Sequence, residues 1–242
     1  MIFINTRRIE VCCGSMADVL TARSAGAIRV ELCSAIEVGG LTPSAGLIAG
    51  AVRERSAMAV NVLIRPRGGD FVYSDREIAV MEADIEAAKA AGAQGVVIGA
   101  MTPSGDVDMK TMHRLLAHCE DMDVTFHRAF DVCASPSDAL EQIIALGIPR
   151  LLTSGREPTA LEGAPLIAEL IRQAAGRIRI MPGAGINPAN IAEIESITGA
   201  KEFHSTCTDK SLSAPCRAPL FGCAARPADF QTVKYLVTGM QS

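Results

Sequence analysis

The chain has 242 residues, 49% of them hydrophobic and 21% charged, with a mean hydropathy of +0.25 and a net charge of −4. It is too apolar to be disordered, yet no apolar run approaches the roughly 20 residues that span a bilayer, so a soluble globular protein is expected. A pI near 5.6 with dispersed basic residues gives no general attraction to nucleic acid.

The opening residues 1–8 place their arginines after a very short apolar stretch, the reverse of a secretory signal, so a cytosolic location is expected. Eight cysteines at 12, 13, 33, 119, 133, 207, 216 and 223 form no C-x-x-C pair. They read as cytosolic thiols, most of them packed as small hydrophobes.

Runs rich in Val, Ile and Leu recur at residues 9–13, 27–33, 59–66, 95–99, 123–128, 150–154, 177–181 and 202–206, which makes eight candidate strands. Helical periodicity fills the gaps, as with Ile78, Met81, Ile85 and Ala88, or Leu140, Ile143 and Ile144. Thr42-Pro43, Ser135-Pro136 and Asn187-Pro188 each place a capping side chain before a proline at the first helical position, and Ser74 to Glu77 reads as a capping box. Gly26, Gly92, Gly147 and Gly199 fall where helices end and a left-handed cap suits glycine. Residues 207–226 read as a long polar loop, lid-like in character, before a last helix carrying Phe230, Val233 and Leu236.

Strict β-α alternation implies parallel pairing, and eight units in about 250 residues fit a TIM-type (β/α)8 barrel of one domain spanning residues 1–242. An open doubly wound sheet is the alternative, but G-x-G-x-x-G is absent after the first strand.

Strand side chains alternate, so one parity faces the barrel interior and the other the helices. Val30 and Leu32 contrast with Glu31 and Cys33, Val62 and Ile64 with Asn61 and Arg65, Val124 and Phe126 with Thr125 and His127, and Phe203 with His204. Barrel interiors are ordinarily apolar, so Glu31, Arg65 and His127 near strand ends need a reason: a ligand site at the C-terminal face, or an ion-pair network closing that end.

After the third strand, Arg65, Arg67 and Asp70 flank Gly68-Gly69, and two guanidiniums there can fork onto an anion. After the fifth, His127 and Arg128 precede Asp131, which either orients the imidazole or caps the next helix. Gly183 and Gly185 after the seventh strand, with His204 and Ser205 at the eighth, occupy the loops where barrels bind phosphate, or else the glycines merely permit a tight turn.

These residues support an enzyme of lyase, aldolase or isomerase type acting on a small phosphorylated or carboxylate metabolite. In that reading His127 is the general acid or base, Glu31 a second proton carrier, and Arg65 and Arg67 neutralise substrate charge. No lysine stands at a clear strand end, which counts against Schiff-base chemistry.

Glu10-Val11-Cys12, Val30-Glu31-Leu32-Cys33, Gly39-Gly40-Leu41-Thr42-Pro43-Ser44, residues 64–71, residues 124–131, Leu152-Thr153-Ser154-Gly155 and Glu202-Phe203-His204-Ser205 together resemble the CutC family, described as copper-homeostasis proteins. The resemblance implies a β/α barrel, a cytoplasmic or nuclear location, self-association as a homo-oligomer, and Cu(I) binding. The family's two proposed copper cysteines fall on Cys12 and Cys33. These end neighbouring strands with the same parity, and soft thiolates select Cu(I). Cys13, of opposite parity, is expected to face the helices. After Ser205 the chain departs from the family's Ser-rich pattern with Thr206-Cys207-Thr208-Asp209.

Overall fold

Strand formation follows the β-branched runs closely in the computed structural model, which describes residues 7–208 and 227–239. The strands are β1 Arg8–Cys13, β2 Arg29–Leu32, β3 Ala59–Leu63, β4 Gly95–Ile98, β5 Asp123–Phe126, β6 Arg150–Thr153, β7 Arg179–Pro182 and β8 Glu202–Ser205. All pair in parallel in the order β7-β6-β5-β4-β3-β2-β1-β8, with β7 and β8 side by side but without a hydrogen-bonded ladder. The sheet is therefore a nearly closed eight-stranded barrel. Its outer ring is α1 Met16–Ser24, α2 Ala45–Glu54, α3 Asp75–Ala90, α4 Met109–Leu116, α5 Pro136–Ala145, α6 Ala164–Ala174, α7 Ile191–Thr198 and α8 Phe230–Thr238.

The expected capping box of Ser74 and Glu77 opens α3, and Ser135 caps α5 before Pro136. Two expected caps are corrected. Ser44, not Thr42, caps α2, because the Thr42 hydroxyl is bound to the Arg65 backbone beside β3. Asn187 closes a local turn on the Ala189 N–H, so α7 starts only after Asn190. Of the polar loop expected at 207–226, residues 209–226 lie outside the described residues, with Cys216 and Cys223 among them.

The two strand parities separate into two bodies of side chains. Val11, Cys13, Val30, Leu32, Val62, Ile64, Val124, Phe126 and Phe203 join the large core between sheet and helices. Inside the barrel, Cys33, Leu63 and Val97 form a small apolar cluster of their own, flanked by Cys12 and Ile36.

Apart from Leu152 and Met181, much of the rest of the interior is polar, contrary to the apolar filling usual in such barrels. Towards the N-terminal strand ends, Arg29 is held by Glu10 and by Glu202 at 3.2 Å, while Arg150 pairs with Glu202 at 2.8 Å and Asp123 at 2.6 Å. An ion network thus exists, but it fills the lower barrel rather than sealing the mouth.

Candidate functional site

Register decides which side chains meet. Cys12 of β1 stands beside Glu31 of β2, and Glu10 stands beside His204 of β8. These three strands bring Cys12, Glu31 and His204 together, with one potential ligand atom from each all within 4.8 Å of one another. Cys33, one step beyond β2, places its Sγ 3.4 Å from that of Cys12. A cavity of about 190 Å³ opens over this group, lined also by Arg65, Phe71, His127, Arg128, Gly185 and Ser205.

The polar groups form a chain. Arg29 donates to Glu10, whose Oε1 accepts from His204 Nδ1 at 2.8 Å, and His204 Nε2 lies 3.4 Å from Glu31 Oε2. Burial alone would raise Glu10, but the Arg29 charge and the His204 hydrogen bond outweigh it and hold the carboxyl at about 2. Burial dominates at Glu31 and pushes it up to about 6 against the opposing pull of His204. At His204, burial disfavours the charge, yet Glu31 and Glu10 overcome it and raise the imidazole above its ordinary value. The shared hydrogen bond with Cys33, then burial, raise Cys12 well above the usual thiol range.

His127 behaves differently. Its Nδ1 accepts the Ala129 N–H at 3.1 Å, and its ring packs against Phe71 with centroids 5.0 Å apart. Burial, then the Arg65 charge, push its pKa down to about 3. It is therefore neutral near pH 7 and a weaker base than an ordinary histidine, which bears on the acid or base role expected of it. The ring also lies against Gly99, where a Cβ would come within 2.6 Å of the imidazole.

Of the other expected site residues, several lie elsewhere. Arg67 turns outward onto Glu77, Asp70 and the Tyr73 ring, so neither Arg67 nor Asp70 lines the cavity. Asp131 neither orients His127 nor caps α5. It accepts from Arg128, Thr153, Ser154 and the Arg156 N–H, tying the loop after β5 to the loop after β6. Gly183 sits behind the lining, where a Cβ would strike Leu152 at 2.5 Å. Ser205 lines the cavity while donating to the Ile186 carbonyl.

Sequence reasoning assigned no role to Glu10 or Arg29. Their parity, shared with Cys12 and Glu31, was the available signal. Gly40 was also passed over. Its φ of 87° turns the loop after β2 so that its carbonyl meets Arg65, and a Cβ there would lie 2.7 Å from Leu63.

Fold and site together define a parallel β/α-barrel protein with thiols, carboxylates and an imidazole gathered in a cup at the C-terminal strand ends. The CutC family profile matches residues 7–209, and the chain belongs to the CutC family. A CutC family protein of Xylella fastidiosa strain Temecula1 is 53% identical over 198 residues, covering 82% of this chain and 74% of that one. The human copper homeostasis protein cutC homolog is 50% identical over 203 residues, covering 84% and 73%. Among solved structures, the CutC protein of Streptococcus agalactiae superposes with a TM-score of 0.78 at 35% identity, covering 83% of this chain and 98% of that one. An aldolase, QR15, shares the barrel alone, with a TM-score of 0.63 at 16% identity, covering 85% and 92%.

Proposed function

We propose that this protein handles copper, binding Cu(I) through the Cys12 and Cys33 sulfurs with His204 Nε2 as a third donor. The observation that carries the proposal is the 3.4 Å separation of the two sulfurs at the floor of the cavity. Two sulfur donors and one imidazole suit a soft ion better than a hard one. Glu10, bound to His204 Nδ1, fixes the ring with Nε2 beside Glu31, in one group with Cys12, as carboxylates behind metal-bound histidines commonly do. The Cys12 thiol, held well above the usual range, carries its proton in the metal-free state, so loading releases a proton and tightens with rising pH. The human relative's name, copper homeostasis protein, accords with this reading. A cytosolic or nuclear location and self-association stand with it through the family likeness; sedimentation of the purified chain tests the latter.

Titration of the reduced protein with Cu(I) against a competing chelator tests the site. The Cys12→Ser, Cys33→Ser double variant is expected to lose one equivalent relative to the parent, and Glu10→Gln to bind roughly 10–100-fold more weakly. Unchanged stoichiometry in the double variant would overturn the site.

A second reading, acid–base catalysis on a small phosphorylated or carboxylate metabolite, is favoured by one observation. Glu31 meets His204 at 3.4 Å inside the cavity, and His204 is backed by Glu10, an arrangement that can move a proton to and from a bound molecule. In that case Glu31 is the proton carrier and His127 a neutral hydrogen-bond donor. Substrate-dependent deuterium exchange in D2O, lost in Glu31→Gln, is the expected signature; exchange that persists in that variant removes Glu31 from the role.

A further inference from the structure

Arg65 and His127 leave the same cavity wall electrically and chemically incomplete. Arg65 is buried, with 5% of its surface exposed. Its Nη1 donates to the Val38 and Gly40 carbonyls at 3.0 Å each, and its Nη2 to the Gly69 carbonyl at 2.8 Å. All three partners are neutral. Among the described residues no carboxylate lies within ion-pair distance of this guanidinium, whereas the buried Arg29 and Arg150 each have two. These carbonyls use three of the five N–H groups, Nε makes no hydrogen bond, and a further neighbour, the Tyr73 hydroxyl, is also neutral. A buried charge without a counter-charge is costly, and the carbonyls compensate it only in part.

His127 adds the complementary defect. It is 4% exposed, and because Nδ1 accepts from Ala129, the neutral ring carries its proton on Nε2. That Nε2 has no partner. Buried donors in native proteins are nearly always satisfied, and this orphan, itself closed to solvent, sits on a residue that lines the cavity, where an acceptor reaches it once the Phe71 side of the wall gives way. Phe71 lies against both groups, 4.9 Å from the Arg65 guanidinium carbon and 5.0 Å from the His127 ring, and screens them from water.

We propose that this wall binds the oxyanion end of a small organic anion, a carboxylate or phosphate ester, with His127 Nε2–H donating to one oxygen and Arg65 supplying the balancing charge. The cavity of about 190 Å³ suits the oxyanion end of a compact metabolite. The site lies in the same cavity but uses none of the proposed copper donors; it deepens the second reading above, and rests on it, by placing the ligand's charged end. It also gives His127 a task other than proton transfer.

The experiment is nitrogen-detected NMR on protein labelled at histidine, titrated separately with sodium phosphate and sodium pyruvate against sodium chloride at matched ionic strength. A saturable shift of the His127 Nε2 signal with either probe, absent with chloride, is the expected result. A response to phosphate alone assigns a phosphate ester, and one to pyruvate alone a carboxylate. In His127→Phe, which keeps an aromatic ring between Phe71 and Phe126, calorimetry is expected to show the responding probe bound about tenfold or more weakly, with Cu(I) stoichiometry unchanged. No saturable shift with either probe up to tens of millimolar, or undiminished affinity in His127→Phe, overturns the proposal.

Discussion

Buried between Phe71 and Phe126, the imidazole of His127 pays for its position whenever the solution turns acid. Unfolded, it titrates near 6.5; folded, burial and the Arg65 charge depress it to about 3. A depressed folded pKa means the unfolded chain binds the proton first. The His127 contribution is therefore complete above about pH 6.5 and is lost as pH falls towards 3, with a slope approaching about 1.4 kcal/mol per pH unit. Chemical denaturation between pH 7 and 4 is expected to show a shallower loss of stability in His127→Phe than in the parent. Equal slopes would mean that His127 titrates normally. Strand parity pointed Glu31, Cys33, Arg65, His127 and His204 to one cup and the family resemblance added Cys12 as the partner of Cys33; all six line the cavity. Arg67 and Asp70 were misassigned because they follow Gly68-Gly69 beyond the strand end, where no periodicity dictates direction and Arg67 instead reaches Glu77 at the start of α3.

At the scale of elements, the strands were readable because a fully buried parallel strand needs a continuous run of β-branched and apolar residues. Each observed strand lies within or close to its expected run; the runs begin early at 27–28 and 177–178 and continue beyond the ladders at 33, 64–66, 99, 127–128, 154 and 206, chiefly towards the C-terminal ends. Those trailing residues are the ones that reach the mouth, so the strand ends and the site coincide. Helix starts were harder. A capping residue before proline marks where a helix can begin, but the cap forms only if its side chain has no better partner. Ser135 had none and caps α5, whereas Thr42 was taken by the Arg65 backbone and Asn187 by its own turn. At the helix ends, Gly26, Gly92, Gly147 and Gly199 all adopt positive φ, as the αL cap requires.

Across the whole molecule, the interior is organised around buried charge. Arg29 bridges Glu10 and Glu202, Glu202 in turn holds Arg150, and through Glu10 the same network orients His204 at the cup. Removing one member of such a network leaves the others uncompensated in low dielectric. Arg29→Met is expected to destabilise the fold by about 3–5 kcal/mol, measured by urea denaturation, because Glu10 and Glu202 lose a shared partner. A loss below about 1 kcal/mol would show that solvent reaches this layer and screens it. No helix among the described residues is long and apolar enough to cross a membrane.

Periodicity and parity are properties of the chain itself, because each strand residue's face follows from its neighbours. The amino-acid order alone therefore determined the eight β-α units and the inward parity, while the family resemblance pointed to the cysteine pair at the mouth. Which inward side chains touch depends on stagger around a closed sheet, which brings β8 beside β1 across most of the chain's length. Only the tertiary structure decided that Glu10 stands behind His204, that Arg29 joins Glu10 to Glu202, and that His127 is held neutral beside an unmatched Arg65.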